Sequence, residues 1–481
     1  MMIIDENSKE PLYAQLYRQL KTDILSGILQ SGTKLQSSRC VSAELHISRN
    51  TVELAYDQLF AEGLIISIPR RGYYVEKLDI KEYQECENSN HNQEISILND
   101  ELKYDFRCGK LLFSELPCGQ WHKLLSRCFR NYKDEMTLQK SAFGEIGLRT
   151  QIQKYIHKYR NVNCSAEQIV VSVGTQLCLD IICRLIKPMN QETCIAVEEP
   201  GYDQSRITFE NNGFQLHPME LDKHGAMVQP LMAKDLLAAY ITPSHQFPTG
   251  TVMSMSRRTE FVKWAMQKET YIIEDDYNCH FQHDLRPIPS LQSLCADRVF
   301  YIGSFSDILF PCINVSYMVV PEKLLTKLHR LMDHYAPFAP FLTQKPLELF
   351  MGEGHWESHL RKMRKRCRAK NEALVSILKH RFGDSITIRG DHTGSHLLVQ
   401  VNWPIEESEL ISRAYHAGIG VYPTSTHWNQ SANNKNVSVL LSYGGLSLED
   451  IPIAIEHLYH AWQDSMLGAI QEFDTGSFAS C

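Results

Sequence analysis

The 481 residues are 43% hydrophobic and 22% charged, with a formal net charge of −7, the composition of an ordinary globular protein. That length exceeds one typical core, so two or three domains are expected, and no run of about 18 apolar residues offers a membrane span. The acidic start, MMIIDENSKEP, lacks the basic and apolar order of a signal peptide, and fourteen cysteines without a C-x-x-C pair suit free thiols in a reducing cytosol.

Residues Pro11 to Ile28 predict an amphipathic helix, with Leu12, Leu16, Leu20, Ile24 and Leu25 at helical spacing and Gly27 near its end. A second short helix runs through Val41, Ala43 and Leu45. After a turn at His46 and Ile47, Ser48 is suited to cap a third helix through Val52, Ala55, Tyr56 and Leu59. Two short strands flank Pro69-Arg70-Arg71-Gly72, and three helices with a two-strand wing make a winged helix-turn-helix.

A helix that begins Ser48-Arg49-Asn50-Thr51 would carry a guanidinium, a carboxamide and a hydroxyl into a major groove. Arg39 would face phosphates from the preceding helix, and Arg70 and Arg71 would lie at the wing tip. Scattered arginines more often mark a solvated surface, and nine Lys and Arg balance nine Asp and Glu up to Lys77, so bulk charge decides nothing. The run P-L-Y-A-Q-L…G-T-K-L-Q-S-S-R…I-S-R-N-T-V-E-L-A-Y-D-Q-L-F-A-E-G-L-I…R-G-Y-Y-V, however, resembles the GntR-family DNA-binding domain over nearly its whole length. Gln36 departs from that family, which usually has Pro in L-P-S-S-R.

Residues 78–104 hold seven acids against two lysines and few apolar anchors, the composition of a mobile linker. From Asp105 to about Leu467 helical patterns alternate with short apolar strands, as in a parallel α/β sheet with helices on both faces, and residues 468–481 form a tail. Ile169–Val173 predicts a strand that ends at a Gly174-Thr175-Gln176 turn, followed by a helix from Leu177 to Ile186, a strand-turn-helix order that suits anions. Cys194–Val197 leads into Glu198-Glu199-Pro200-Gly201-Tyr202, Tyr240–Thr242 into Pro243, and Tyr271–Ile273 into Glu274-Asp275-Asp276-Tyr277. All these loops fall at the carboxyl edge of one sheet, where open α/β folds bind ligands. Cys279, His280 and His283 stand close together, but core or surface filling explains them better than a metal. The basic run Arg361 to Lys370 reads as a solvated helix face.

Val299 to Pro321, VFYIGSFSDILFPCINVSYMVVP, is strand, exposed turn with Ser304, Ser306 and Asp307, then strand. An ordinary hairpin would look the same. The stretch also resembles the pyridoxal-phosphate (PLP) segment of fold type I aminotransferases as found in MocR-like regulators, roughly Y-I-G-T-F-S-K-x-L-x-P-x-L-R-I-G-Y. The resemblance implies a GntR-type winged helix at 1–77 and a fold type I aminotransferase-like effector and dimerisation domain at 105–467. It further implies phosphate-side contacts at Thr175 and Gln176, an aromatic beside the cofactor ring at Tyr202, a carboxylate for the pyridine nitrogen at Asp275 and a phenol at Tyr277. Ser304, Ser306 and Asn314 complete the expected pocket.

The family's imine-forming lysine falls on Asp307 and its phosphate-gripping arginine on Asn314. A carboxylate forms no imine, so covalent PLP at Asp307 is excluded, and no catalytic residue is assigned. Loss of the arginine removes a charge-assisted contact worth about 1.5–3 kcal/mol. The aminotransferase arginine for a substrate carboxylate falls on Leu440. The leading expectation is a cytoplasmic, homodimeric regulator that binds operator DNA and senses an effector without transamination. The alternatives are a PLP enzyme with noncovalent cofactor or a displaced lysine, and a domain that serves dimerisation alone.

Overall fold

The computed structural model describes residues 10–77, 102–138, 140–188, 193–281, 288–428 and 437–476, and the chain divides into two compact units, 1–100 and 101–481. In the first unit, α1 (Leu12–Leu25) buries Leu16, Leu20 and Ile24 against α3 (Arg49–Ala61), which presents Val52, Ala55, Tyr56 and Leu59. Between them lies α2 (Ser38–Leu45), ended by His46 in the left-handed region. The wing is the antiparallel pair β1 (Ile65–Ile68) and β2 (Gly72–Val75), which pairs Ile65 with Val75 and Ile68 with Gly72. Helix α1 stops three residues short of the expected Ile28, because Ser26 and the left-handed Gly27 turn their amides back onto its last carbonyls. Tyr56 donates a hydrogen bond to the carbonyl of Gln36 at 2.9 Å, so the position where the GntR family usually has Pro is tied to α3.

The second unit is built on an eight-stranded sheet in the order β4-β11-β10-β9-β8-β5-β6-β7. Its strands are β4 (Ile169–Val173), β5 (Cys194–Glu199), β6 (Gln215–Asp222), β7 (Gly225–Ala226), β8 (Ala238–Ile241), β9 (Tyr271–Asp275), β10 (Val299–Ser304) and β11 (Val315–Val319). Strands β6, β5, β8, β9 and β10 run parallel, while β11 is antiparallel to both β10 and β4. Strands β8, β10 and β11 are buried along their whole length, as expected for strands of a sheet covered on both faces. Strand β5 runs two residues past the expected Val197, because Glu198 is buried and accepts from the Thr242 amide at 3.1 Å and from the Thr242 hydroxyl.

The remaining chain forms an antiparallel sheet, β12 (Ile386–Arg389), β13 (His396–Val401), β16 (Ser438–Ser442) and β15 (Tyr422–Pro423), in that order. A parallel pair joins β3 (Tyr104–Asp105) to β14 (Ile419–Gly420). Two expected boundaries shift. Tyr104, assigned to the linker, is buried in β3, and the last helix, Asp450–Gly476, continues past Leu467 into the expected tail. Linker residues 78–101 and tail residues 477–481 lie outside the described residues. No helix among the described residues is long and apolar enough to cross a membrane.

Candidate functional site

In the first unit, Ser48 caps α3. Its hydroxyl accepts from the Thr51 amide at 3.1 Å and lies 2.7 Å from the Thr51 hydroxyl, so both side chains are engaged in holding the helix start. Arg49 and Asn50 are exposed in the first turn, with Arg49 Nε donating to Glu53 at 2.8 Å on the same helix face. Arg39 is exposed in the first turn of α2, and Arg70 and Arg71 are exposed at the tip of the wing, Arg70 with φ of 63°. The sequence-predicted set thus divides into exposed cations with a carboxamide and two capping hydroxyls.

In the second unit every residue expected around the cofactor lines a single cavity of about 650 Å³. The topology explains the convergence. Strands β4, β5, β8, β9 and β10 end at one edge of the sheet, and β11, running the other way, begins there. Thr175 and Gln176 open α4 (Gly174–Ile186) directly after β4, with no side-chain cap on its first amides. Gly174 has φ of +73° and its amide donates to the Asn314 carbonyl at 3.1 Å; a Cβ there would come within 3.3 Å of the Asn314 carboxamide. Tyr202 follows β5 and exchanges hydrogen bonds with Gln176 and Gln204. Ser304 ends β10 and accepts from the Ser306 amide at 3.2 Å, and Tyr277 donates to the His245 carbonyl at 3.1 Å.

The end of strand β9 and the residue after it carry three successive buried carboxyls with different fates. Glu274 accepts from the amides of Leu291 and Gln292 at 3.0 Å each and lies 3.5 Å from Arg258. Asp276 accepts from Arg160 Nε at 2.6 Å and from the Tyr301 phenol at 2.7 Å. Burial works to raise its pKa, but Arg160 with these donors outweighs it and holds the carboxyl below its ordinary range. Asp275, between them, faces the cavity. Its Oδ2 accepts from Tyr240 at 2.7 Å while Oδ1 is buried without a partner among the described residues, and burial pushes its pKa to about 7.

Asp307 lines the same cavity, partly exposed, with burial pushing its carboxyl to about 6. No lysine stands among the described lining residues. Leu440, on β16 opposite Leu398 and Tyr422, presents an apolar side chain.

Several lining residues were not anticipated. Tyr240 supplies the hydroxyl for Asp275; a phenol in the otherwise apolar strand Ala-Ala-Tyr-Ile is a signal that could have found it. Arg107 reaches the cavity from the segment after β3, its Nε donating to the Tyr422 phenol at 2.9 Å and lying 3.7 Å from Asp105. His396 and His427 pack against Phe247, with ring centroids 5.3 and 4.8 Å away. Burial holds His396 down at about 4, hence neutral, with Nε2 lacking a partner among the described residues. No local motif announces Arg107 or the two histidines.

Two other expectations meet the structure. Cys279 and His280 are buried in the core, His283 lies outside the described residues, and no cluster that could hold a metal occurs among the described residues. The basic run Arg361 to Lys370 is not simply a solvated face: Lys370 is 4% exposed and pairs with Glu115 at 2.9 Å, and Arg364 donates to the His280 carbonyl at 2.7 Å.

Residues 12–75 match the gntR family of bacterial regulatory proteins, and residues 132–416 match aminotransferase class I and II. YdeL of Bacillus subtilis strain 168, an uncharacterized HTH-type transcriptional regulator, is 35% identical over 94% of this chain and 97% of its own length. MocR of Rhizobium meliloti, a probable rhizopine catabolism regulatory protein, is 27% identical over 96% of each chain. Among solved structures, the α-aminoadipate aminotransferase LysN of Thermus thermophilus superposes with a TM-score of 0.69 at 20% identity, covering 78% of this chain and 96% of that one, which establishes the fold. A winged helix of the gntR family ahead of an aminotransferase-like unit, shared with such relatives along almost the entire length, places this chain among the HTH-type transcriptional regulators of the MocR type.

Proposed function

We propose that the chain is a cytoplasmic, homodimeric regulator that grips operator DNA through Arg39, Arg49, Asn50, Arg70 and Arg71, with Ser48 and Thr51 fixing the recognition helix. Its aminotransferase-like unit senses a small molecule and does not transaminate. A dimer would present two winged helices to paired half-sites.

The observation that carries this reading is Asp307. It stands in the cavity at the position that the family resemblance gives to the imine-forming lysine, and the described lining residues include no lysine to replace it. An aldehyde cofactor needs an amine for attachment and for moving the proton at a substrate carbon, and a carboxylate performs neither task. Asn314, in place of the arginine, offers the phosphate a neutral carboxamide beside the first turn of α4. The residues present therefore do not fit covalently held PLP, and the reading assigns no catalytic step to the site.

The test is a titration of the purified protein with PLP, followed by visible absorbance and thermal shift, beside an Asp307→Lys/Asn314→Arg variant. Wild type should develop no imine absorbance while the variant turns yellow. An imine band in the wild type would refute the reading. On the DNA side, selected operator fragments measured by fluorescence anisotropy should lose affinity when Arg49 is replaced.

A further inference from the structure

The cavity contains more carboxylate than cation. Of the three acidic residues that line it, Asp203 lies 3.6 Å from His427, whose imidazole holds its carboxyl below the ordinary range. Asp275 and Asp307 have no such neighbour. Glu274 and Asp276, on either side of Asp275, lie within 3.5 Å of Arg258 and Arg160, but Asp275 is met only by neutral donors, the Tyr240 hydroxyl and the Tyr277 amide, and its Oδ1 stays buried without a hydrogen-bond partner among the described residues, the residue being 3% exposed. Asp307 makes no hydrogen bond or ion pair among the described residues. Arg107, the one guanidinium among the described lining residues, is directed to Tyr422 and Asp105. Ser316, 1% exposed, adds a further unpaired oxygen to the cavity wall.

A carboxylate withdrawn from water, without a cation and with few hydrogen-bond donors, holds its charge at a cost and tends to keep its proton until a positive charge is supplied. An aldehyde brings no positive charge to Asp307, and an alcohol brings only a hydroxyl. We propose that the cavity receives a ligand bearing a primary ammonium group, set against the Asp307 carboxylate, with a second N–H of the ligand directed to the unpaired oxygen of Asp275. Replacement of an amine by a carboxylate at Asp307 thus inverts the selectivity of the site, from a carbonyl to an amine. This rests on the reading that Asp307 stands where an imine-forming amine would. Two sources carry the chemistry. Pyridoxamine and its 5′-phosphate combine a primary amine with a ring nitrogen, and an aliphatic diamine combines two amines. The upward shifts of Asp275 and Asp307 agree with carboxyls that lack a cation until one binds.

The test compares isosteric pairs on the full chain by isothermal titration calorimetry: pyridoxamine against pyridoxine, the corresponding 5′-phosphates against each other, and 1,4-diaminobutane alone. Each is measured with wild type and with Asp307→Asn, whose melting temperature confirms folding. The expected result is that an amine binds wild type at least about tenfold tighter than its hydroxymethyl counterpart and that Asp307→Asn removes the preference, since tenfold corresponds to about 1.4 kcal/mol, within the range of one charge-assisted hydrogen bond. Binding by the vitamin amines identifies the ring-borne source, and Asp307-dependent binding by diaminobutane alone identifies the aliphatic one; either supports the proposal. Failure of all the amines to bind, or a preference that survives in Asp307→Asn, overturns it. An imine band with PLP refutes the non-catalytic reading independently, so the two failures are distinguishable.

Discussion

Replacement of Asp307 by Asn should make the second unit more stable, with a gain that depends on pH in a defined direction. The folded carboxyl titrates at about 6, raised by burial alone, whereas an aspartate in an unfolded chain titrates near 3.9. Because the folded pKa is the higher one, the folded state binds the proton more tightly, and stability falls as pH rises from about 4 to about 6. Above that range the deficit is complete. Two pKa units correspond to about 3 kcal/mol, and partial exposure to solvent in the cavity reduces this to about 1–3 kcal/mol. Asparagine never ionises, so the variant should match wild type near pH 4 and exceed it by that margin at pH 8. Urea unfolding followed by tryptophan fluorescence at fixed protein concentration measures the difference. All six tryptophans, from Trp121 to Trp462, lie in the second unit, so the winged helix does not contribute to the signal. A variant no more stable at pH 8, or equally stabilised at both pH values, would refute the assignment of Asp307 as an uncompensated carboxylate.

Arg49→Ala should lose about 1–3 kcal/mol of specific operator binding with little change in nonspecific binding, as read by anisotropy with cognate and scrambled duplexes. Arg70→Ala should instead weaken both and reduce the salt slope by about one; equal salt slopes would remove the wing tip from the contact. Arg160→Met strands the buried Asp276 charge and should destabilise the second unit by about 3–5 kcal/mol, much of it recovered in Arg160→Met/Asp276→Leu; a cost below about 1 kcal/mol would show the pair to be dispensable. Pyridoxamine affinity should rise with pH between about 5 and 8, because its partners Asp307 and Asp275 ionise near 6 and 7; calorimetry giving a flat profile would place the amine elsewhere.

The winged helix was legible because its signals are local. Ser48 caps the helix it precedes, the left-handed Gly27 closes α1, and the apolar spacing of Leu16, Leu20 and Ile24 defines one buried face. The cavity residues that follow strand ends were legible for the same reason: an apolar run into a small-residue turn is written in adjacent positions, and parallel strands then bring such turns to one edge. What the sequence concealed depends on distant pairing. Arg107 meets Tyr422 across 315 positions, and Lys370 is buried in a run that looks solvated because Glu115, 255 positions away, neutralises it. Strand β5 outran its expected end because two glutamates look like loop until Thr242 supplies donors for one of them.

The three carboxyls at the end of β9 show how much of this site is scaffold and how much is ligand chemistry. Alternation along the strand sends Glu274 and Asp276 away from the cavity, where Arg258, Arg160, Tyr301 and two backbone amides satisfy them inside the protein. Their positions are secured by the fold and need nothing from outside. Asp275 receives the Tyr240 hydroxyl and the Tyr277 amide but no cation, although it is nearly as buried as its neighbours. A residue in that condition raises the free energy of the empty protein, and an Asn at the same place would keep the Tyr240 hydrogen bond without the charge. Asp307, partly exposed in the same cavity, likewise lacks a cation, and its charge adds to the upward shift of Asp275. Two uncompensated carboxylates on one cavity wall are a poor way to stabilise a dimerisation scaffold. They are an effective way to hold a positively charged ligand, which relieves both at once and leaves the buried pairs behind β9 undisturbed.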